Sequence, residues 1–370
     1  MRKNLILASF LCIACAGCES STNTASNTSS TNPVTTSGDA KGAGKVSTFT
    51  LAWSEYPSWS VFGVADEIGL LNKEAGKQGE LEKKWNVDVV LKGVDYDTCL
   101  QMYGSNTADA VCITNMDTLG PAMDRASVAI LPTSTSVGAD ACIAVGIDDL
   151  DGLKGNTTRG LERSVSQYAF ERILVKKGLD PKDFPFTNMD PGAAASALQT
   201  GDSSVQSIMV WNPFVMQTLR DQPKSKKLFD SSEIPEEIID MVVVGKDSLA
   251  KEGGKQFASC LVETFYAINA RMADPKTADK TLVAIGANFS SLGLEDMKQV
   301  VQQTRFYSSP EAALKLLTSD EFRNKTMPAV VDFCVAQKIV NQKPSIGFDT
   351  ADTQVNFDTS FLKAQASGAK

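Results

Sequence analysis

Residues 50–71 read TLAWSEYPSWSVFGVADEIGLL, a stretch in which a short apolar strand runs into an amphipathic helix. The strand ends at Trp53, and apolar residues recur at helical spacing from Val61 onward. The bend between them carries aromatic and polar side chains, namely Trp53, Ser54, Glu55, Tyr56 and Trp59. The aromatic residues would suit a packed core, but polar neighbours at a strand end also suit one wall of a binding cleft. We expect part of this bend to face such a cleft.

The rest of the chain repeats this alternation of strand and helix. We predict strands over residues 49–53, 87–91, 110–114, 128–132, 141–145, 156–160, 186–188, 207–210 and 241–244. Helices are predicted between most of them, over 60–70, 96–105, 116–124, 166–177, 192–200 and 212–222. After residue 244 the pattern is mainly helical, over 254–273, 276–286, 293–303, 309–324 and 326–339. This pattern predicts an α/β fold with parallel-rich sheets flanked by helices.

Two successive runs of the alternation predict two lobes, joined by two crossings, with a ligand cleft between them. Lobe 1 is predicted over residues 46–138 plus 245–370, and lobe 2 over residues 139–244. Open α/β sheets bind ligands beyond the carboxyl ends of their strands, so the residues after each strand are site candidates. Besides the first bend, these candidates are Asn115, Met116, Asp117, Ser164, Ser166, Trp211, Asn212 and Asp240. The alternative for most of them is a helix cap or a turn.

Length, charge and the lack of histidine exclude several classes of protein. The chain has 370 residues, too many for one small core, and its formal net charge of −8 provides no basic stripe for nucleic acid. Without histidine, Ser-His-Asp and Cys-His catalysis and histidine zinc sites are excluded. The cysteines fit no metal-ligand spacing, and we expect mostly buried thiols with at most one or two bridges. We predict no metal, no cofactor and no nucleic-acid partner.

The N-terminus has the pattern of an export signal. A basic start is followed by an apolar run and by Ala16-Gly17-Cys18, which resembles a bacterial lipobox apart from Cys15, where leucine is usual. We predict a lipoprotein signal peptide over residues 1–17, with Cys18 acylated; the alternative is a cleaved signal in which Cys18 is incidental. Residues 18–45 are rich in serine and threonine and predict a flexible tether. The protein is expected outside the cytoplasm, anchored to the bilayer of a bacterial envelope.

From about residue 46 to residue 365 the chain resembles the solute-binding proteins of ABC importers of the nitrate/sulfonate/taurine type. The resemblance is carried by WSEYPSW at 53–59, ADEIGL at 65–70, TNMD at 114–117, WNP at 211–213 and DSSEIPEEIID at 230–240. The order of these motifs is most similar to a urea-type subgroup. The resemblance implies a type II periplasmic-binding-protein-like fold whose two lobes close on a small solute. It also implies an ABC permease with its ATPase as partners, no enzymatic activity and a monomeric state.

The chemistry of the candidate residues favours a nitrogen-containing solute. Glu55, Asp117 and Asp240 are acidic, four candidates are aromatic, and only Arg163 is a nearby cation. Carboxylates with aromatic faces suit urea, guanidinium or an amidine. Three alternatives remain open: a small anion such as nitrate or a sulfonate, an exported enzyme that uses carboxylates such as Glu55 and Asp117, and a sensory or adhesive surface module.

Overall fold

The computed structural model describes residues 46–368. The predicted signal peptide, tether and lipidated Cys18 therefore lie outside the described residues. The described residues fall within one compact unit, Lys45–Lys370. None of their helices combines the length and the apolar character needed to cross a bilayer.

Two sheets contain the strands of the described residues. The strands are β1 Ser47–Trp53, β2 Val87–Gly93, β3 Ala110–Thr114, β4 Ser127–Ser136, β5 Asp140–Val145, β6 Thr158–Gly160, β7 Phe186–Asn188, β8 Ser207–Trp211, β9 Ser225–Asp230, β10 Ile239–Gly245, β11 Thr304–Phe306, β12 Ile346–Phe348 and β13 Val355–Phe357. The larger sheet has the order β12-β13-β4-β10-β3-β1-β2, with β11 paired to β4. The smaller sheet has the order β7-β6-β8-β5-β9. Each sheet is the centre of one lobe, which we call the larger-sheet lobe and the smaller-sheet lobe.

Helices flank the sheets, as expected for chains that alternate strand and helix. The helices are α1 Val61–Glu67, α2 Glu80–Trp85, α3 Tyr96–Gly104, α4 Leu119–Ala122, α5 Leu150–Leu153, α6 Val165–Lys176, α7 Pro191–Thr200, α8 Phe214–Asp221, α9 Lys246–Leu249, α10 Gly254–Ala273, α11 Ala278–Phe289, α12 Leu294–Gln303, α13 Pro310–Thr318, α14 Met327–Ala336 and α15 Ser360–Ser367. Helix α10 covers the larger sheet, where Phe257 stacks on Phe49 of β1 with ring centroids 4.7 Å apart. The predicted two-lobe α/β fold is confirmed.

Both sheets contain parallel pairs and, at the strands that follow the crossings, antiparallel pairs. Strand β1 is parallel to β2 and β3, but β10 is antiparallel to both of its neighbours, β3 and β4. In the smaller sheet β5 is likewise antiparallel to β8 and β9. The reason is the pair of crossings, because the strands that follow them, β5 and β10, enter each sheet without a helical crossover that would make them parallel.

The return crossing comes earlier in the chain than the predicted boundary at residue 244. Strand β10 was assigned to lobe 2 for residues 239–244, but it pairs with β3 and β4 of the larger sheet. All seven residues of β10 are buried, as expected for a central strand with helices on both faces. The segment that crosses back is residues 231–238.

The four strands that the pattern did not predict are short or polar. Strand β9 is a sheet edge that includes Lys226 and Lys227, and lysine on an edge strand opposes pairing with another chain. Strands β11, β12 and β13 have three residues each, too few for an alternation to be recognised.

All five cysteines of the described residues are buried and free. They are Cys99, Cys112, Cys142, Cys260 and Cys334. The prediction of mostly buried thiols is confirmed for this part of the chain, and the bridges that were allowed for are not formed there.

Candidate functional site

A cleft of about 290 Å³ lies between the two lobes. Its walls come from the ends of β1, β3 and β8 and from the starts of α3, α6, α7 and α8. Eight of the predicted site residues lie along it: Ser54, Glu55, Tyr56, Trp59, Asp117, Ser164, Trp211 and Asp240. The first bend therefore does face a cleft, apart from Trp53.

Five predicted site residues lie elsewhere, and Trp53 and Met116 are two of them. Trp53 lies on the same face of β1 as Phe49 and Leu51, the face that points into the core. Its indole fills the space over Gly93, where an added Cβ would lie 3.3 Å from the ring. Met116 is 1% exposed and belongs to the core. Apolar burial, rather than ligand contact, accounts for both side chains.

Two of the three polar residues that miss the cleft, Asn115 and Asn212, form hydrogen bonds that hold the structure around it. Asn115 donates to the carbonyl of Glu237 and accepts from the amide of Ile239, each at 3.1 Å, which ties β3 to the return crossing. Asn212 donates to Oε1 of Gln303 at 2.6 Å, across the two lobes. Ser166 is fully buried in the first turn of α6.

Eleven residues of the cleft were not among the predicted site residues, and they include Asp95, Tyr96, Asp97, Asp140, Asp190 and Phe214. Asp95 and Asp190 are the N-caps of α3 and α7, and their carboxylates accept from the amides of Thr98 and Ala193 at 2.9 Å. Both stand at strand-to-helix turns, so the rule that selected Asp117 would have selected them as well. Asp140 opens β5 directly after the first crossing.

The cleft is strongly acidic. Seven carboxylates line it, and among its lining residues there is no lysine or arginine. Four of the seven are exposed at its edge, and we call them the rim carboxylates: Glu55, Asp95, Asp97 and Asp190. The other three lie deeper, and we call them the deep carboxylates: Asp117, Asp140 and Asp240. Within residues 46–368, none of the seven forms an ion pair.

Hydroxyl groups hold the deep carboxylates in place. Asp117 accepts from the Tyr96 hydroxyl at 2.7 Å and from the Thr114 hydroxyl at 2.8 Å. The remaining two each accept from one serine of β4, Asp140 from Ser136 at 2.6 Å and Asp240 from Ser134 at 2.5 Å. These neutral donors orient the carboxylates without neutralising their charge, and lone pairs remain for a further partner.

Burial raises the pKa of all three deep carboxylates. For Asp140 it raises the pKa to about 6, with the hydroxyl of Ser136 opposing the shift and the charge of Asp230 adding to it. For Asp240 burial raises the pKa well above its usual range, and the nearby charges of Asp140 and Asp117 add to the shift. For Asp117 burial again raises the pKa, against the hydrogen bonds from Tyr96 and Thr114. Ionised together, these groups repel one another until an opposite charge arrives.

Aromatic side chains from both lobes complete the walls. On the larger-sheet side, Trp59 stacks on Tyr96 with centroids 5.7 Å apart and an interplanar angle of 6°, and Tyr56 tilts against it at 5.0 Å. On the smaller-sheet side, Trp211 meets Phe214 edge to face at 6.5 Å. Trp211 and Phe214 are only partly buried, so they keep apolar surface available along the cleft.

Arg163, the one cation expected near the site, does not line the cleft. Its backbone is in the left-handed region, with φ of 57°. Its guanidinium donates to the carbonyl of Lys338 at 2.6 Å, which lies in the other lobe. The arginine thus bridges the lobes and leaves the negative charge of the cleft uncompensated.

The two crossings meet beside the deep carboxylates. The Ser136 and Ser231 hydroxyls are 2.6 Å apart, and the amide of Gly138 donates to Ser231 at 2.8 Å. Gly138 has φ of 100°, a conformation that favours glycine. Asp140 and Asp240 each lie within two residues of a crossing, so a ligand held by them would contact the segments about which the lobes can turn.

The carboxylates are not grouped as a metal site. Within the described residues, no set of three or more aspartate, glutamate or cysteine side chains is arranged to hold a metal ion. The arrangement suits instead a ligand that spreads its positive charge or its donors over several separate oxygens.

Comparison with known proteins identifies the fold. No family model matches the chain, and no curated protein does. Among solved structures, the aliphatic sulphonate binding protein SsuA of Escherichia coli superposes with a TM-score of 0.63 at 14% identity, covering 80% of this chain and 89% of that one. SsuA of Xanthomonas axonopodis pv. citri, bound to MOPS, gives 0.61 at 13%, covering 80% and 95%.

A third similar structure is the ligand binding component of an ABC-type import system from Staphylococcus aureus. It gives a TM-score of 0.60 at 12% identity, covering 86% of this chain and 99% of that chain. At such low identity these likenesses establish the architecture alone. The chain therefore has the two-lobe fold of the periplasmic binding proteins, with the acidic cleft at the position where the lobes meet.

Proposed function

We propose that this protein is a non-enzymatic, extracytoplasmic solute-binding protein of an ABC importer. A cleft lined from both lobes, with the two crossings beside it, suits capture by lobe closure, a hinge motion of known type. Of the similar structures, one is named as a periplasmic binding protein and another as the ligand binding component of an ABC-type import system. The acylated Cys18, the tether and a permease with its ATPase belong to this proposal as the means of delivery.

The solute is proposed to be nitrogen-containing, with urea, guanidinium and amidines as the class. The observation that carries this proposal is the set of seven cleft carboxylates without a lysine or arginine among the lining residues. N–H donors of the solute would satisfy the free carboxylate oxygens, and aromatic faces would cover its apolar surface.

A small anion such as a sulfonate is the main competing solute. The E. coli and Xanthomonas proteins share the fold and are named for sulfonate binding, so likeness of fold alone would favour a sulfonate. In this chain, however, a sulfonate would enter beside Asp117, Asp140 and Asp240 with no lining cation to receive it. Placing like charges together in a partly dry cleft is unfavourable, so the residues argue against the anion.

An exported enzyme is the second competitor, with carboxylates as acid and base. The raised pKa of Asp140 would suit a general acid. Burial of Asp140 in a cleft without a lysine or arginine is enough to raise its pKa, so a catalytic role is not needed to explain it. Turnover of a bound solute, followed by chromatography of the mixture, would distinguish an enzyme from a binding protein.

A thermal-shift screen of the full chain tests the proposed function. A solute that binds only the folded state must raise the melting temperature, by an amount that grows with its concentration. We expect nitrogen-rich cations or donors to raise it and nitrate and taurine to leave it unchanged. A broad solute library without any stabilising member would contradict a solute-binding role, and stabilisation by anions alone would contradict the solute class.

A further inference from the structure

Resting on the proposed function, we infer that the solute is an organic cation larger than guanidinium: a protonated nitrogen group on a flat apolar body. Within the proposed class, this selects amidine-like cations over neutral urea and over guanidinium itself. Three features of the cleft carry the inference, namely its uncompensated charge, its volume and the placement of its aromatic walls. The sulfonate named for similar structures is the opposite in charge.

The deep carboxylates are buried without a cationic partner. Asp140 and Asp240 are 4% and 2% exposed and Asp117 is partly buried, and none of them forms an ion pair within residues 46–368. A neutral solute could donate hydrogen bonds to these groups, but it would not favour their ionised form. A positive charge favours the ionised form and makes the stronger, charge-assisted hydrogen bonds with it.

The cleft is larger than urea or guanidinium can fill. Its volume of about 290 Å³ is many times the roughly 10–15 Å³ that one water molecule needs by the same measure. Urea and guanidinium are each the size of a few water molecules, so either would leave most of the ligand-free cleft filled with water. A solute with a ring or a chain of comparable size beside its charged group would fill it.

Aromatic side chains line the cleft from both lobes. Trp211 is the register partner of Asp140 in the β5–β8 pair, so an indole lies next to a deep carboxylate. From the other lobe the partly buried Tyr96 lines the cleft, with the indole of Trp59 stacked on it. A charged nitrogen at Asp140 would therefore lie beside Trp211, and the apolar body attached to it would lie between aromatic surfaces from both lobes.

Four probes test the inference by calorimetry on the full chain: benzamidine, benzamide, benzenesulfonate and guanidinium. They separate charge from size, because the first three share a ring and the fourth shares only the charge. We expect benzamidine to bind at least about tenfold more tightly than each of the others, a difference of about 1.4 kcal/mol. Equal or tighter binding of benzamide, guanidinium or benzenesulfonate would overturn the inference.

Variants locate the probe within the cleft. Asp240→Asn and Trp211→Leu should each weaken benzamidine binding at least about tenfold, whereas Asp124→Asn, an exposed carboxylate outside the cleft, should not change it. Unchanged binding in both cleft variants would overturn the inference.

The possible failures are distinguishable. Preferential binding of benzenesulfonate would refute the cation while leaving the proposed binding role intact. Absence of binding by all four probes would also refute the inference. If the broad thermal-shift library then gave no stabilising solute, the binding role itself would fail.

Discussion

Asp140 is placed to bind the proposed solute, but burying its carboxylate lowers the stability of the ligand-free protein. Its carboxyl is 4% exposed, and burial raises its pKa from 3.8 to about 6. The folded state therefore holds a proton that the unfolded state has lost, and the free energy of unfolding falls as pH rises from about 4 to about 6. Above that window the penalty is constant, on the order of 3 kcal/mol at about 1.4 kcal/mol per pKa unit.

Asp140→Asn should remove this penalty while keeping an acceptor for Ser136. We expect the free energy of unfolding of the ligand-free protein to rise by about 1–3 kcal/mol at neutral pH. The gain should vanish below about pH 4, where both states of the parent carboxyl are protonated. Denaturant unfolding at several pH values measures this, with Asp124→Asn as the control. A variant less stable than the parent at pH 7 would contradict the account.

At the residue scale the sequence predicts the cleft well for side chains that come soon after a strand. Glu55 and Asp117 lie within three residues of the ends of β1 and β3, and both line the cleft. Trp53 and Trp211 are instead the last residues of β1 and β8, where the two-residue alternation decides which way a side chain points, so that Trp53 faces the core and Trp211 the cleft. Asp140 was missed because its position depends on where the chain leaves one sheet, which local pattern does not reveal.

At the scale of elements, the packing of the smaller sheet requires a residue without a side chain at the end of β6. Gly160 ends β6 between β7 and β8. A Cβ added there would lie 2.7 Å from the carbonyl oxygen of Met209 and 2.7 Å from the ring of Phe186. Gly160→Ala should therefore cost about 1–3 kcal/mol of unfolding free energy.

Gly120→Ala is the matched control for that substitution. Gly120 lies within α4, and nothing stands within 4 Å of its added Cβ. Because alanine is the better helix former, we expect no loss and a gain of at most about 1 kcal/mol. Thermal or denaturant unfolding compares the two variants, and equal destabilisation of both would contradict the packing argument.

The sequence predicts the position of an element well where an apolar repeat extends over many residues. It does not predict which sheet a strand joins, because that depends on strand pairing. Helix α10 was predicted over its observed bounds, because twenty residues of amphipathic pattern leave little freedom. The direction of β10 and its membership of the larger sheet were not predictable, because both depend on the return crossing. Its apolar run fits a central strand in either lobe.

At the scale of the whole molecule, contacts between the lobes should set how long a solute stays bound. Gln303 accepts from the side chain of Asn212 at 2.6 Å, and its carbonyl accepts from Val137 in the first crossing at 2.7 Å. Gln303→Ala removes only the first contact. We expect the dissociation rate of benzamidine to rise about threefold to tenfold, since one hydrogen bond contributes about 1 kcal/mol.

The control for that prediction is Gln302→Ala, because Gln302 is exposed on the same helix. Stopped-flow displacement of benzamidine compares the two variants with the parent. A faster dissociation rate in both variants, or in neither, would show that the Asn212–Gln303 contact does not hold the lobes together.

The most direct test of the central claim is proton release on binding, because a cation that pairs with the deep carboxylates must lower their pKa and expel protons. Benzamidine would be titrated calorimetrically at pH 6, the value to which burial raises the pKa of Asp140, in buffers of different ionisation enthalpy. The account predicts net proton release, and affinity that increases as pH rises through about 6. Proton uptake, or heats that are the same in every buffer at pH 6, would contradict it.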